Sequence, residues 1–152
     1  MNTTNITLSI PVRSTVDRLV QAVTTQAGLA GWFTPSVQAE PQVGSAVELG
    51  FGPAFTLGMR VERLDPAAGL VEWAPVAAPD EWKTSRIRFE ATADGGTINF
   101  TFTHADLPAG YPQQAFLTYC WANHMRSLKL LLETGAGEPF GSPAARAWHP
   151  LD

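Results

Sequence analysis

Read for the alternation of apolar and polar positions, the chain divides into a strand, two short helices, a run of strands and one long helix. In "NITLSIP", Ile6, Leu8 and Ile10 fall on one face and Thr7 and Ser9 on the other, the period of a half-buried strand that Pro11 is expected to end. "STVDRLVQAVTT" follows with Val16, Leu19, Val20 and Val23 at helical spacing, Ser14 placed as N-cap and Asp17 three residues on. The segment "QAGLAGWFTP" reads as a second short helix, broken by Gly28 and Gly31 and stopped before Pro35.

From residue 36 to 104 the pattern becomes short alternating runs separated by glycine or proline, with Gly95-Gly96 between the last two, which predicts an antiparallel meander of about six strands. One face collects Val47, Leu49 and Phe51, then Leu57, Met59 and Val61, Val71 and Trp73, Ile87, Phe89 and Ala91, and finally Ile98, Phe100, Phe102 and His104. The opposite face carries Glu48, Arg60, Glu62, Glu72, Arg86, Arg88 and Glu90, so it meets water.

The long helix is expected over about residues 112 to 134, roughly 30 Å, with Gly135 as its C-cap. At about 100° per residue, Leu117, Trp121, His124, Leu128, Leu131 and Leu132 share one stripe, which places an imidazole in the middle of an apolar face. Only this helix is long enough to cover the inward face of the sheet. Because a sheet twists while a helix is a straight rod, the two are not expected to close tightly everywhere, and a gap between them follows. The prediction is an α+β fold: one domain over residues 1–140, an antiparallel sheet of six or seven strands wrapped around the C-terminal helix, and two short helices after the first strand. Residues 141–152 are expected as an extended tail pinned by Phe140 and Trp148.

Composition narrows the function classes. The chain has 152 residues, enough for a single core that hides about 70% of the unfolded surface. The net charge is −4, with acids and bases scattered, so no basic row is available to neutralise phosphates and nucleic acid is not an expected partner. Cys120 is the only cysteine, which excludes an internal disulfide and a zinc site built on several thiolates. No stretch approaches the roughly 20 apolar residues of a membrane span and no leader pattern precedes the first strand, so a cytoplasmic location is expected. No cofactor and no metal is expected.

The motifs "GLAGWFTP", "VEW", "EWKTSRIRFEA", "GTINFTFTHADL" and "LLETGAGEPF", in this order of elements, resemble the bacterial proteins related to the activator of Hsp90 ATPase. These belong to the START-like superfamily of helix-grip folds, and the resemblance covers roughly residues 5 to 140. The chain departs from the family pattern at Val20, Phe33, Ala105-Asp106, where a serine-glycine pair is commoner, and Cys120. What the resemblance implies is a deep apolar cavity between sheet and long helix that binds hydrophobic molecules. Self-association as a homodimer and contact with a chaperone are left open by it.

The residues expected to line such a site are Trp32 of the second short helix; Phe51, Met59, Trp73, Phe89, Phe100, Phe102 and His104 of the strands; and Trp121, His124 and Leu128 of the long helix. An apolar pocket is lined by rings with a few polar groups that orient the guest, and the two histidines are candidates for those groups. The bland alternative for each is a core histidine held by structural hydrogen bonds. Catalysis has little to stand on: no inward-facing carboxylate orients either imidazole, and no serine elbow or metal-ligand spacing is present. The leading expectation is a carrier or sensor of a small hydrophobic molecule. Its rivals are a protein-interaction module and a cyclase- or hydratase-like enzyme using the histidines.

Overall fold

The computed structural model describes residues 2–151; Met1 and Asp152, the outer ends of the expected domain and tail, lie outside them. The element order is β1 (Thr3–Val12), α1 (Val16–Thr24), α2 (Gln26–Trp32), β2 (Ser36–Ala39), β3 (Ala46–Gly50), β4 (Thr56–Asp65), β5 (Leu70–Ala77), a 3-10 turn (Asp80–Trp82), β6 (Arg86–Asp94), β7 (Thr97–Pro108), α3 (Gln114–Thr134) and α4 (Pro143–Arg146). The seven strands form one antiparallel sheet in the order β1-β7-β6-β5-β4-β3-β2. This is the α+β helix-grip architecture, with α3 lying across the inward face.

Every residue assigned to the inward face from Val47 to His104 is buried, because alternation with period two leaves a half-covered sheet no other economical register. On the edge strand β1, Ile6 is buried and Leu8 and Ile10 are half-buried. On the outward face charges pair across strands, as where Arg88 Nε donates to Glu72 Oε2 at 2.9 Å. α3 ends at Gly135, whose φ of 88° is the left-handed cap conformation that glycine adopts freely.

Local details differ from the sequence reading for identifiable reasons. Pro11 does not end β1; the strand runs on to Val12, and because β1 is an edge strand a residue without N–H is tolerated there. The cap of α1 is Thr15, whose hydroxyl accepts from the Arg18 N–H at 3.2 Å, while Ser14 is buried one residue earlier. Gly28 and Gly31 lie inside α2 and do not break it. A Cβ at Gly28 would sit 2.6 Å from Ala22 Cα, so this glycine is what lets α1 and α2 approach. His104 is not at the end of β7, which continues to Pro108 after a bulge against β1. Residues 136–151 fold back over α3 and are not extended throughout: Ser142 caps the helical turn Pro143–Arg146.

Candidate functional site

The rings of the inward sheet face and of α3 form one connected cluster. Phe89 lies at its centre, with ring centroids 4.8 Å from Trp73, 5.5 Å from Phe102, 6.3 Å from Phe100 and 6.4 Å from Trp32. Phe102 reaches α3 through Trp121 at 4.5 Å. Met59 and Leu128 are buried in the same core. The structure therefore packs all eleven residues singled out from sequence into one buried core, in which the two histidines have different surroundings.

His104 belongs to the first group and is fully buried. Trp121 Nε1–H donates to its Nδ1 at 3.2 Å, so Nδ1 is the bare nitrogen and Nε2 carries the proton. Nε2–H then meets Ser85 Oγ at 2.9 Å, and Ser85 Oγ–H donates to the Trp82 carbonyl at 2.8 Å. Trp82 also stands edge-on to the imidazole at 4.7 Å. Both ring nitrogens are engaged, which makes His104 a fastener between β7, α3 and the 3-10 turn. Burial lowers its pKa to about 4, since a charged ring would be desolvated and would lose its bond from Trp121.

His124, on α3, forms the second group. Phe33 lies edge-on at 4.6 Å, Trp121 at 5.9 Å and Phe51 at 6.3 Å. The box is completed from the C-terminal segment by Trp148 at 4.9 Å and His149 at 5.5 Å. His149 in turn stacks on Phe51 at 5.6 Å and meets Phe140 at 4.9 Å. Among the described residues the His124 ring makes no hydrogen bond, although it is only 8% exposed. Burial, and secondarily the neighbouring His149, lower its pKa to about 3.

Sequence reasoning left four members of this box outside the site: Phe33, Phe140, Trp148 and His149. The available signal was Ser142-Pro143, a cap with proline at the first helical position, which folds the tail instead of leaving it extended. The tail is anchored where Glu138 N–H donates to Ser127 Oγ at 2.7 Å and Phe140 N–H to the Phe33 carbonyl at 2.9 Å. Trp148 meets the body through rings, His124 and Tyr119.

In this structure the layer between sheet and α3 is filled by these rings. Open recesses lie elsewhere: one of about 420 Å³ on the outward face, bordered by Ser36, Gly50, Gly58 and Ala77, and one of about 560 Å³ beside Gln21, Gly28 and Leu131. A guest in the layer has to displace rings, and the rings carried by the C-terminal segment are the ones that could leave without unfolding the sheet. No helix among the described residues is long and apolar enough to cross a membrane, and among them no three potential metal-ligating side chains cluster.

Residues 13–133 match the family model described as Activator of Hsp90 ATPase homolog 1-like protein. Among solved structures, the Aha1 dimer of Colwellia psychrerythraea superposes with a TM-score of 0.79 at 27% identity, over 88% of this chain and 99% of that one. DynU16, a protein of the dynemicin biosynthetic locus, gives 0.72 at 20% identity over 88% and 48%. SSP2350 of Staphylococcus saprophyticus gives 0.72 at 17% identity over 88% and 95%. At these last two identities the likeness is one of fold. No curated protein matches the chain.

Proposed function

The chain belongs to the family of Activator of Hsp90 ATPase homolog 1-like proteins, and on that premise we propose that it carries or senses a small hydrophobic molecule held between the sheet and α3. The observation that supports this most directly is the His124 box. A buried imidazole that makes no hydrogen bond among the described residues faces rings, two of which, Trp148 and His149, come from a segment outside the sheet, while Phe140 of the same segment packs on Phe51 and His149. Without that segment the body presents a trough of Phe33, Phe51, Trp121 and His124, which matches the pattern of an apolar site with one polar group to orient a guest. The segment serves as its cover. Native mass spectrometry of protein purified from its own host tests the reading: a retained small molecule supports it, and protein that carries none and takes up none of a panel of apolar probes contradicts it.

A second reading has its own observation. Phe116 and Tyr119, 52% and 50% exposed, stack at 6.4 Å on the outer side of α3, the kind of apolar pair a partner covers. The Colwellia relative is described as a dimer. Self-association through this side of α3 is tested by sedimentation of the protein and of Phe116→Glu: a dimer that the variant dissociates supports it, and a monomer at high concentration contradicts it.

A further inference from the structure

From the hydrogen-bonding of the buried indoles we infer that the guest of this layer is a neutral molecule carrying a carbonyl oxygen, and that Trp73 Nε1–H is the donor that takes it; this rests on the apolar-ligand reading above. Among the described residues, four buried side-chain polar atoms lack a hydrogen-bond partner: Ser14 Oγ, Trp73 Nε1, Trp82 Nε1 and Glu138 Oε1. Ser14 sits in the turn before α1, and Glu138 Oε1 lies 2.9 Å from Arg126 Nη1 as an ion pair without hydrogen-bond alignment. The two left inside the sheet-helix layer are both indole nitrogens.

The contrast with the other indoles is informative. Trp32 Nε1 donates to the Ala22 carbonyl at 2.8 Å and Trp121 Nε1 to His104, as buried indoles ordinarily do. Trp73 is 0% exposed, on the inward face of β5, in the transverse row Val61, Trp73, Ile87, His104, Ile6 that crosses the sheet. It is separated from the trough under the C-terminal segment by Phe89, 4.8 Å away, and by Trp32, which stacks on Phe33 at 4.6 Å, so a guest bonded to it extends from the trough past those rings. Its own row offers no acceptor, because both nitrogens of His104 are already engaged. An unmet buried donor is costly, and such a group in a native protein calls for an explanation.

An indole donates and cannot accept, so the complementary group on a guest is an acceptor oxygen. The charge of that group is settled by the surroundings. The buried row around Trp73 holds no lysine or arginine, and its one histidine, His104, is held neutral, so an ionised carboxylate bonded to Trp73 would be buried without an adjacent counter-charge. A ketone, aldehyde or ester oxygen satisfies the donor without that cost.

The test uses the full chain and three probes of one shape: 2-acetylnaphthalene, its hydrocarbon isostere 2-isopropylnaphthalene, and 2-naphthoate. Indole N–H signals in a nitrogen-proton correlation spectrum are assigned with Trp73→Phe and Trp82→Phe. The expected result is about fivefold tighter binding of the ketone than of the hydrocarbon, with naphthoate the weakest at pH 7. The Trp73 signal should move downfield with the ketone alone, and Trp73→Phe should bind ketone and hydrocarbon equally. Should that variant fail to fold, the Trp73 signal is assigned in the wild type by cross-relaxation with Phe89, 4.8 Å away, and the wild-type spectrum decides. Equal binding of ketone and hydrocarbon with an unmoved Trp73 signal overturns the inference while leaving the apolar site standing. Naphthoate binding as tightly as the ketone overturns the neutral-carbonyl assignment, and a Trp73 proton already bonded to an internal water, seen by cross-relaxation and undisplaced by ketone, does the same. If none of the three binds, the apolar-ligand reading itself fails.

Discussion

Trp121 Nε1–H donates to His104 Nδ1 across 3.2 Å, so one hydrogen bond joins the long helix to the last strand and fixes which nitrogen of the imidazole carries the proton. The rest of the relay, through Ser85 to the Trp82 carbonyl, follows from that choice. Replacing Trp121 by Phe leaves Nδ1 buried without a donor. We expect a loss of about 1–3 kcal/mol from the unmet acceptor, plus a smaller packing term, in urea unfolding. Ser85→Ala should cost a similar amount by stranding Nε2–H, and two variants as stable as the parent would contradict the relay.

Acid should destabilise the domain through the same rings. The pKa values of about 4 for His104 and about 3 for His124 lie below the unfolded value near 6.5, so as pH falls the unfolded chain binds protons first. The histidine contribution is therefore complete above pH 6.5 and is lost from there down toward pH 4 and 3 respectively. Between pH 7 and 5 each ring should cost about 2 kcal/mol, read by urea unfolding at the two pH values. His124→Leu should remove about half of that slope, and a flat profile in the parent would show that neither ring is held neutral.

Gly28→Ala should destabilise, even though alanine is the better helix former by about 1 kcal/mol. The added Cβ would meet backbone atoms, Ala22 Cα at 2.6 Å and the Gln21 carbonyl oxygen at 2.7 Å, which have no rotamer to relax into. We expect a net loss of about 1–3 kcal/mol by thermal or urea unfolding. A gain in stability would mean that α1 and α2 are not held this close.

Asp106 has a φ of 63°, in the left-handed region that aspartate enters at modest cost and β-branched residues avoid. It forms the bulge where β7 passes β1, with its N–H donating to Asn5 Oδ1 at 3.0 Å. Asp106→Gly should change stability by less than about 0.5 kcal/mol, whereas Asp106→Val should cost about 1–2 kcal/mol. Equal melting temperatures for the two variants would contradict the bulge.

The elements whose apolar period is long and uninterrupted were legible from sequence. The inward alternation of β3 to β7 and the stripe of α3 from Trp121 to Leu132 stand where the pattern puts them, because in each a shift of one residue would expose the buried set. Positions decided by close approach were not legible. The pattern cannot show that Gly28 faces the backbone of α1, or that Pro11 lies on an edge strand where its missing N–H does no harm. At the site, both histidines were found, but their roles were not. His104 is made a fastener by Ser85, nineteen residues away, and His124 is enclosed by Trp148 and His149, from a tail whose fold depends on a four-residue helical turn. Contacts of that kind are non-local and leave no period in the sequence.

The most direct test of the central claim is a fluorescence titration with N-phenyl-1-naphthylamine of the parent chain, Trp148→Ala and His124→Leu. If the C-terminal segment covers an apolar site, removing the Trp148 ring takes away contacts with His124 and Tyr119 that a guest must otherwise displace. At roughly 0.5–1.5 kcal/mol for a ring pair, the probe should bind Trp148→Ala about three- to tenfold tighter than the parent, with both proteins folded. His124→Leu should fold as well as the parent, since the ring makes no hydrogen bond among the described residues, and should bind with altered affinity. A probe that binds neither parent nor Trp148→Ala, or binds Trp148→Ala more weakly while that variant remains folded, would contradict the claim that the layer under the tail is a ligand site.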